Sequence, residues 1–285
     1  MRPLLGRHQT GTYDPTVSLT TSDFWRAART PDGPGTLHVH AAGGAVTVQV
    51  YGPGGGWLLQ RVDGLLGRTD APPTITPAHD AVRDALRRGP IPTMSASAMV
   101  LPTLIAAVLG QRVTSLEAVR QWSALCRLST EPAPGPQPLR LPPDPVLLSG
   151  MPSWQYHRLG IERSRADTIV NLCRRANRVD EVADMSIADG YSRLTAFRGV
   201  GAWTSAVTMS AAMGDPDAVL VGDFHLKNVV SYALAGEPRG TDDRMLELLE
   251  PYAGQRGRVV ELLLRDGWSA PRFGPRQPIQ SFTEW

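Results

Sequence analysis

Leu194-Thr-Ala-Phe-Arg-Gly199-Val-Gly201-Ala-Trp203-Thr-Ser-Ala-Val207 sets two apolar helical stretches on either side of a short turn, Arg198-Gly199-Val200-Gly201. Glycine admits positive φ and leaves no side chain in the way of a close approach. Backbone N–H groups leaving such a turn open onto the start of the next helix, where the helix dipole favours an anion. This arrangement suits a DNA phosphate gripped without regard to base sequence. It suits a plain tight corner between two helices as well. Beyond one intervening helix comes Gly214-Asp-Pro-Asp-Ala-Val-Leu-Val-Gly222-Asp223-Phe-His225-Leu-Lys227, in which Asp223 lies twenty-two residues after Gly201. It places a carboxylate at the mouth of a new helix. Asp223 fits an N-cap and also a reactive carboxylate at the rim of a cleft, and the two roles are compatible.

Around this core the chain reads as an ordinary globular protein. Its 285 residues, 42% hydrophobic and 20% charged, allow two domains or one large one. No apolar run approaches the roughly 20 residues of a membrane helix, and the first residues lack a signal-peptide core. A cytoplasmic, nucleoid-associated location and no membrane partner are therefore expected. Cys126 and Cys173 sit among helix formers and are expected to be buried reduced thiols. Two cysteines cannot build a four-thiolate cluster, no Cys/His set has zinc spacing, and no nucleotide-binding loop occurs. No cofactor is expected.

Net charge is only +2, but it is unevenly spread. Arg112 to Arg178 holds ten arginines against five acidic residues, a local +5, while the last ninety residues are slightly acidic. Such an excess suits a phosphate-facing surface, although solvated helix faces look alike. Of the 29 Lys and Arg residues Lys227 alone is lysine.

The expected fold is a small α+β N-terminal domain (residues 1–75) followed by a mainly α-helical domain (76–285). Gly35–His40 and Ala45–Tyr51 read as a strand pair around Gly43-Gly44, and 57–66 as a helix. Helices are predicted over 77–88, 99–109, 161–178, 186–196, 202–213, 224–235, 241–253 and 255–266. Another opens at Thr114 with a capping-box pattern to Glu117. The proline-rich stretch 131–145 reads as a connection, because similar helices lie on both sides.

Together the hairpin and Asp223 resemble the helix-hairpin-helix (HhH-GPD) DNA glycosylase superfamily, and most closely its bacterial alkylpurine (3-methyladenine type II) branch. Leu194–Thr204 is similar to the hairpin, Val221–Leu226 to the catalytic loop, and Ala107-Val-Leu-Gly-Gln111-Arg112-Val-Thr to the segment that inserts into DNA. The resemblance implies a monofunctional glycosylase that flips a damaged base out of double-stranded DNA and releases it, with Asp223 as the catalytic carboxylate.

It further implies that Gly199, Val200, Gly201, Ala202 and Thr204, with Arg198, border a phosphate, with a monovalent cation on hairpin carbonyls. Gln111 and Arg112 would sit at the wedge, a position often apolar in the family. Trp203 and His225 would line the base pocket, and Trp154 and Tyr156 offer further aromatic faces, though core packing suits them too. Val207 and Leu263 stand where that branch often carries aromatic residues, which leaves the lesion open. Strand-nicking relatives carry a lysine where this chain has Trp203; Lys227 fits an i,i+4 ion pair or a phosphate contact instead. The basic segment 270–276 is a further candidate for DNA. A monomer is expected. Two other readings stand beside this one: a glycosylase for uracil, mismatched thymine or a bulky adduct, and a DNA-binding protein that uses the hairpin without chemistry.

Overall fold

The computed structural model describes residues 1–71 and 73–271; most of the basic segment 270–276 lies outside them. Near the start of the chain is an antiparallel sheet in the order β1 (Val17–Leu19), β2 (Asp23–Thr30), β3 (Gly33–Ala42), β4 (Ala45–Tyr51). The expected pair is β3 and β4. Ala42 pairs with Ala45, and Gly43 and Gly44 both take positive φ, as a two-residue hairpin turn of this hand demands.

The sheet is twice as wide as expected. In β2 the run Trp25-Arg26-Ala27-Ala28 hides the alternation, because Arg26 and both alanines are buried. The inner face packs Phe24, Leu37 and Val39 against Leu5, Leu58, Leu65 and Met99. The helix expected over 57–66 is two short ones, Gly55–Gln60 and Val62–Leu65. They break at Arg61, whose guanidinium lies 3.7 Å over the Trp57 ring.

The helices that build the site are α1 (Asp80–Arg88), α2 (Val100–Leu109), α3 (Ser115–Cys126), α4 (Arg163–Cys173), α5 (Ile187–Thr195), α6 (Ala202–Thr208), α7 (Leu226–Ala235), α8 (Asp242–Leu249) and α9 (Arg256–Arg265). The α2 helix is buried on nearly every side, among α3, α4, α5 and α6. Its ends are satisfied from afar: Asp180 Oδ1 accepts from Leu101 N at 3.0 Å, and buried Arg165 donates to Leu109 O at 2.7 Å. An acid at the N-terminus and a base at the C-terminus both match the helix dipole. Cys126 and Cys173 are free and buried, as expected, and burial pushes the Cys173 thiol up to about 12.

A second cluster joins α1, α7, α8 and α9, so the helical part has two lobes. The helix expected over 202–213 is α6 followed by a single π turn, Met209–Met213, which Gly214 ends at φ 68. From there the chain crosses to the second lobe. At Thr114 half of the capping box forms: its hydroxyl accepts from Glu117 N at 3.3 Å, while Glu117 itself accepts from Gln121.

A buried ion pair ties residues 67–94 to α9. Arg258, 1% exposed, donates to both oxygens of Asp70 at 2.6 and 2.7 Å and to Pro92 O. Burial raises the Asp70 carboxyl, but the Arg258 hydrogen bonds and charge and the Met94 amide reverse this and leave it below its usual value. Asp70→Ala strands a buried guanidinium and is expected to cost about 3–5 kcal/mol in denaturant melts. A depressed carboxyl stabilises above its unfolded value, and that contribution is lost as pH falls through the folded one. Wild-type and variant stabilities should therefore converge below about pH 4.

Candidate active site

The turn between α5 and α6 is built on one glycine more than the other. Gly199 takes φ 89, and a Cβ there would stand 2.1 Å from Thr168 Oγ1 on α4. Gly201 departs from the expectation of positive φ: it is extended, with φ −101, and nothing lies within 4 Å of a Cβ built on it. Val200 between them is buried in the first lobe and gives its amide to Phe197 O at 3.0 Å. Its role is therefore to plug the turn. Arg198, Gly199, Gly201 and Ala202 are exposed. The first amides of α6 have no acceptor inside the helix. Leu194 O, Phe197 O and Gly199 O each accept a hydrogen bond within the protein.

Gln111 locks a second loop to this turn. Its side-chain amide donates to Gly199 O at 2.9 Å and to Thr204 Oγ1 at 2.8 Å. Thr204 is accordingly buried; it braces Gln111 and does not face an external ligand, contrary to expectation. Arg112 follows, exposed and left-handed at φ 58. A non-glycine residue held there costs roughly 1–2 kcal/mol, and the Gln111 bonds hold the neighbouring backbone. Neither Arg112 nor Arg198 has an ion-pair partner among the described residues.

Trp203 stands on the first turn of α6, with its ring edge against Gly110: a Cβ on that glycine would lie 3.3 Å from Trp203 Cη2. The indole Nε1 donates to Asp223 Oδ2 at 3.2 Å. The other oxygen, Oδ1, accepts from His225 N at 2.8 Å and Leu226 N at 2.9 Å. Capping α7 and presenting a carboxylate are thus one arrangement. Leu226 belongs to the second lobe and Val200 to the first, so Asp223 spans the seam between them. It is only partly buried.

The supporting residues were hidden in the sequence. Asp242, at the start of α8, accepts from Gly222 N at 3.0 Å and holds Lys227 Nζ at 3.3 Å. Lys227 is therefore paired across to α8 and not with Asp223 four residues before it. Phe224, 79% exposed, stands beside Asp223 and packs at right angles on exposed His225 at 4.9 Å. Val207 lies one turn beyond Trp203 and is partly exposed.

Other expected members are elsewhere. Leu263 is buried in the apolar cluster of the second lobe. Tyr156 is buried in the first lobe and donates its hydroxyl to Leu148 O at 2.8 Å, so it is a core residue and not a pocket wall. Trp154 is 56% exposed, and no ring contact or hydrogen bond joins it to Trp203 or Asp223 among the described residues. A separate groove of about 400 Å³ runs along another face of α6, by Ser205, Ala206, Tyr191 and Asp215. Trp203 and Val207, four residues apart, share the face that Asp223 meets.

The two glycines should separate cleanly. Gly199→Ala meets both the Thr168 contact and a disfavoured φ, and is expected to lower stability by about 2 kcal/mol or more. Gly201→Ala, in open space at an N-cap, should change it by less than about 1 kcal/mol. Urea melts of the two variants decide this.

No protein-family model matches the chain, and no curated protein matches it in sequence. Its fold, however, is found among solved structures. A 3-methyladenine DNA glycosylase from Archaeoglobus fulgidus superposes with a TM-score of 0.73, at 14% identity, over 93% of this chain and 94% of that one. The Clostridium acetobutylicum 8-oxoguanine glycosylase/lyase, bound to double-stranded DNA, gives 0.56 at 10% identity over 88% and 97%. A Schizosaccharomyces pombe 3-methyladenine DNA glycosylase with abasic DNA gives 0.54 at 18% identity over 66% and 91%. The chain has the fold of these DNA glycosylases.

Proposed function

We propose that the protein is a monofunctional DNA glycosylase that extrudes an alkylated purine, of the 3-methyladenine or 7-methylguanine kind, from double-stranded DNA and hydrolyses its glycosidic bond. The observation that carries this reading is the Asp223 carboxylate, fixed by Trp203 Nε1 and two backbone amides beside an exposed Gly-x-Gly turn. The shared fold with two proteins named as 3-methyladenine DNA glycosylases points the same way.

Chemistry on a base requires taking it out of the stack, at a cost of a few kcal/mol. In this reading the turn from Gly199 to Trp203 holds a phosphate on the first amides of α6, with Arg198 alongside. Arg112 enters the space left by the extruded nucleotide, where its guanidinium stacks and meets the orphaned partner base. The base rests against Trp203, with His225 and Phe224 at the rim. An N-alkylated purine is cationic, so an indole face attracts it and it leaves without a strong general acid.

As the bond breaks, positive charge grows on the deoxyribose. A carboxylate already held in place stabilises that charge without reorganising, and it orients the attacking water. Residues 1–75 form the small α+β unit and 76–285 the glycosylase unit, acting as a monomer without a cofactor. Val207, where an aromatic residue commonly stands, favours one second reading: the same chemistry on a different or bulkier base.

Lys227 is the chain's one lysine and is tied to Asp242, and the position used for a Schiff base holds Trp203. Borohydride treatment with abasic duplex DNA is therefore expected to trap no covalent adduct; a trapped adduct would show lyase chemistry. For the main reading, duplexes carrying 7-methylguanine or 3-methyladenine are incubated with the native chain and with Asp223→Asn. The native protein should leave abasic sites. The variant should bind DNA within a few-fold of native yet release base roughly a hundred-fold more slowly or worse. Native activity on neither lesion, with DNA binding intact, would sink the alkylpurine assignment; equal activity of the variant would remove Asp223 from the mechanism.

A further inference from the structure

A second cluster of chemistry-bearing side chains lies far from Asp223 in sequence, on the outer face of the sheet. The β2–β3 register sets Asp23 directly opposite His40 and Trp25 opposite His38, and β3–β4 sets Gln49 opposite His38. Residues two apart on a strand share a face, so Asp23, Trp25, His38, His40 and Gln49 all project to the same side. We propose that this face binds one divalent transition-metal ion of the zinc class, with Asp23, His38 and His40 as its protein ligands.

The geometry is already close to a coordination sphere. One oxygen, Asp23 Oδ1, lies 2.8 Å from His38 Nε2 and 2.9 Å from His40 Nδ1. The ligand atoms all lie within 4.8 Å of one another. Zinc bonds of about 2.0–2.1 Å to imidazole and carboxylate require the tips to part by under about 1 Å. Two imidazoles and one carboxylate form a borderline-soft donor set that suits zinc, cobalt, nickel or copper and disfavours magnesium and calcium.

The surroundings support the ligands as an outer shell does. His38 Nδ1 faces Gln49 Oε1 at 3.2 Å, and the same oxygen accepts from Tyr51 Oη at 3.1 Å. With Nδ1 facing an oxygen acceptor, Nε2 is the ring nitrogen turned toward Asp23, and a metal on Nε2 would leave the Nδ1 proton bonded to Gln49, as metal-bound imidazoles are commonly held. The His38 ring is also clamped: Trp25 stacks on it at 3.7 Å with planes 8° apart. Its position is thus fixed before any ion arrives. Side-chain exposures of 13% for His38, 29% for Asp23 and 42% for His40 leave the remaining coordination positions to water.

The test uses the full chain, freed of metal with a chelator and titrated with Zn²⁺ by calorimetry and with Co²⁺ by visible absorption. One equivalent should bind with a rise in melting temperature, and Co²⁺ should develop ligand-field bands. Asp23→Asn, His38→Gln and His40→Gln should each weaken binding about tenfold or more, while His157→Gln, an exposed histidine elsewhere, should not. Melts of the metal-free variants separate lost ligands from lost fold. On the native chain, Zn²⁺ should protect His38 and His40 from diethyl pyrocarbonate, as read by peptide mass. No saturable binding, binding that survives the ligand substitutions, or modification of both histidines unaffected by Zn²⁺ would each overturn the site.

Discussion

Asp223 is held from two lobes at once. One oxygen is fixed by amides at the start of α7, the other by an indole that grows from α6. Each lobe has its own apolar cluster, and neither alone would orient the group. The nearby architecture fixes each of the two sides separately. Gly110 leaves room for the edge of the Trp203 ring at the end of α2, Gln111 ties the α2–α3 loop to the turn, and Asp242 holds the Gly222 amide just before Asp223.

The same logic explains why some of the site was legible in the sequence and some was not. Turn glycines and a helix-opening aspartate are local signals, carried by backbone conformation and capping, and these led to Gly199, Gly201, Trp203 and Asp223. Gly199 and Gly201 look equivalent in sequence; only the contact with Thr168, thirty-one residues earlier, distinguishes the one that must be glycine. Lys227 lies four residues past Asp223, which suggested a helical pair, yet its partner comes from α8 because Asp242 starts that helix at the same end. Tyr156 had the composition of a pocket residue but lies inside a cluster, since aromatic side chains mark cores and pockets alike.

At the level of the fold, long apolar or well-capped helices such as α2 and α3 could be read directly. The sheet was half visible: β3 and β4 alternate cleanly around a Gly-Gly turn, whereas β2 buries an arginine and two adjacent alanines on one strand. Its outward positions, Asp23 and Trp25, make sense only in register with His38 and His40, information that resides in strand pairing and not in any local window.

One consequence follows from the single lysine. The other 28 of the 29 Lys and Arg residues carry a guanidinium, which does not react with amine-directed reagents under mild conditions. The only side-chain amine in the protein thus stands a helical turn from Asp223, oriented by Asp242. Once the α-amino group of Met1 is blocked, a fluorophore delivered by ordinary amine chemistry would report on the loop that carries the carboxylate, and on the seam between the lobes, without a single engineered residue.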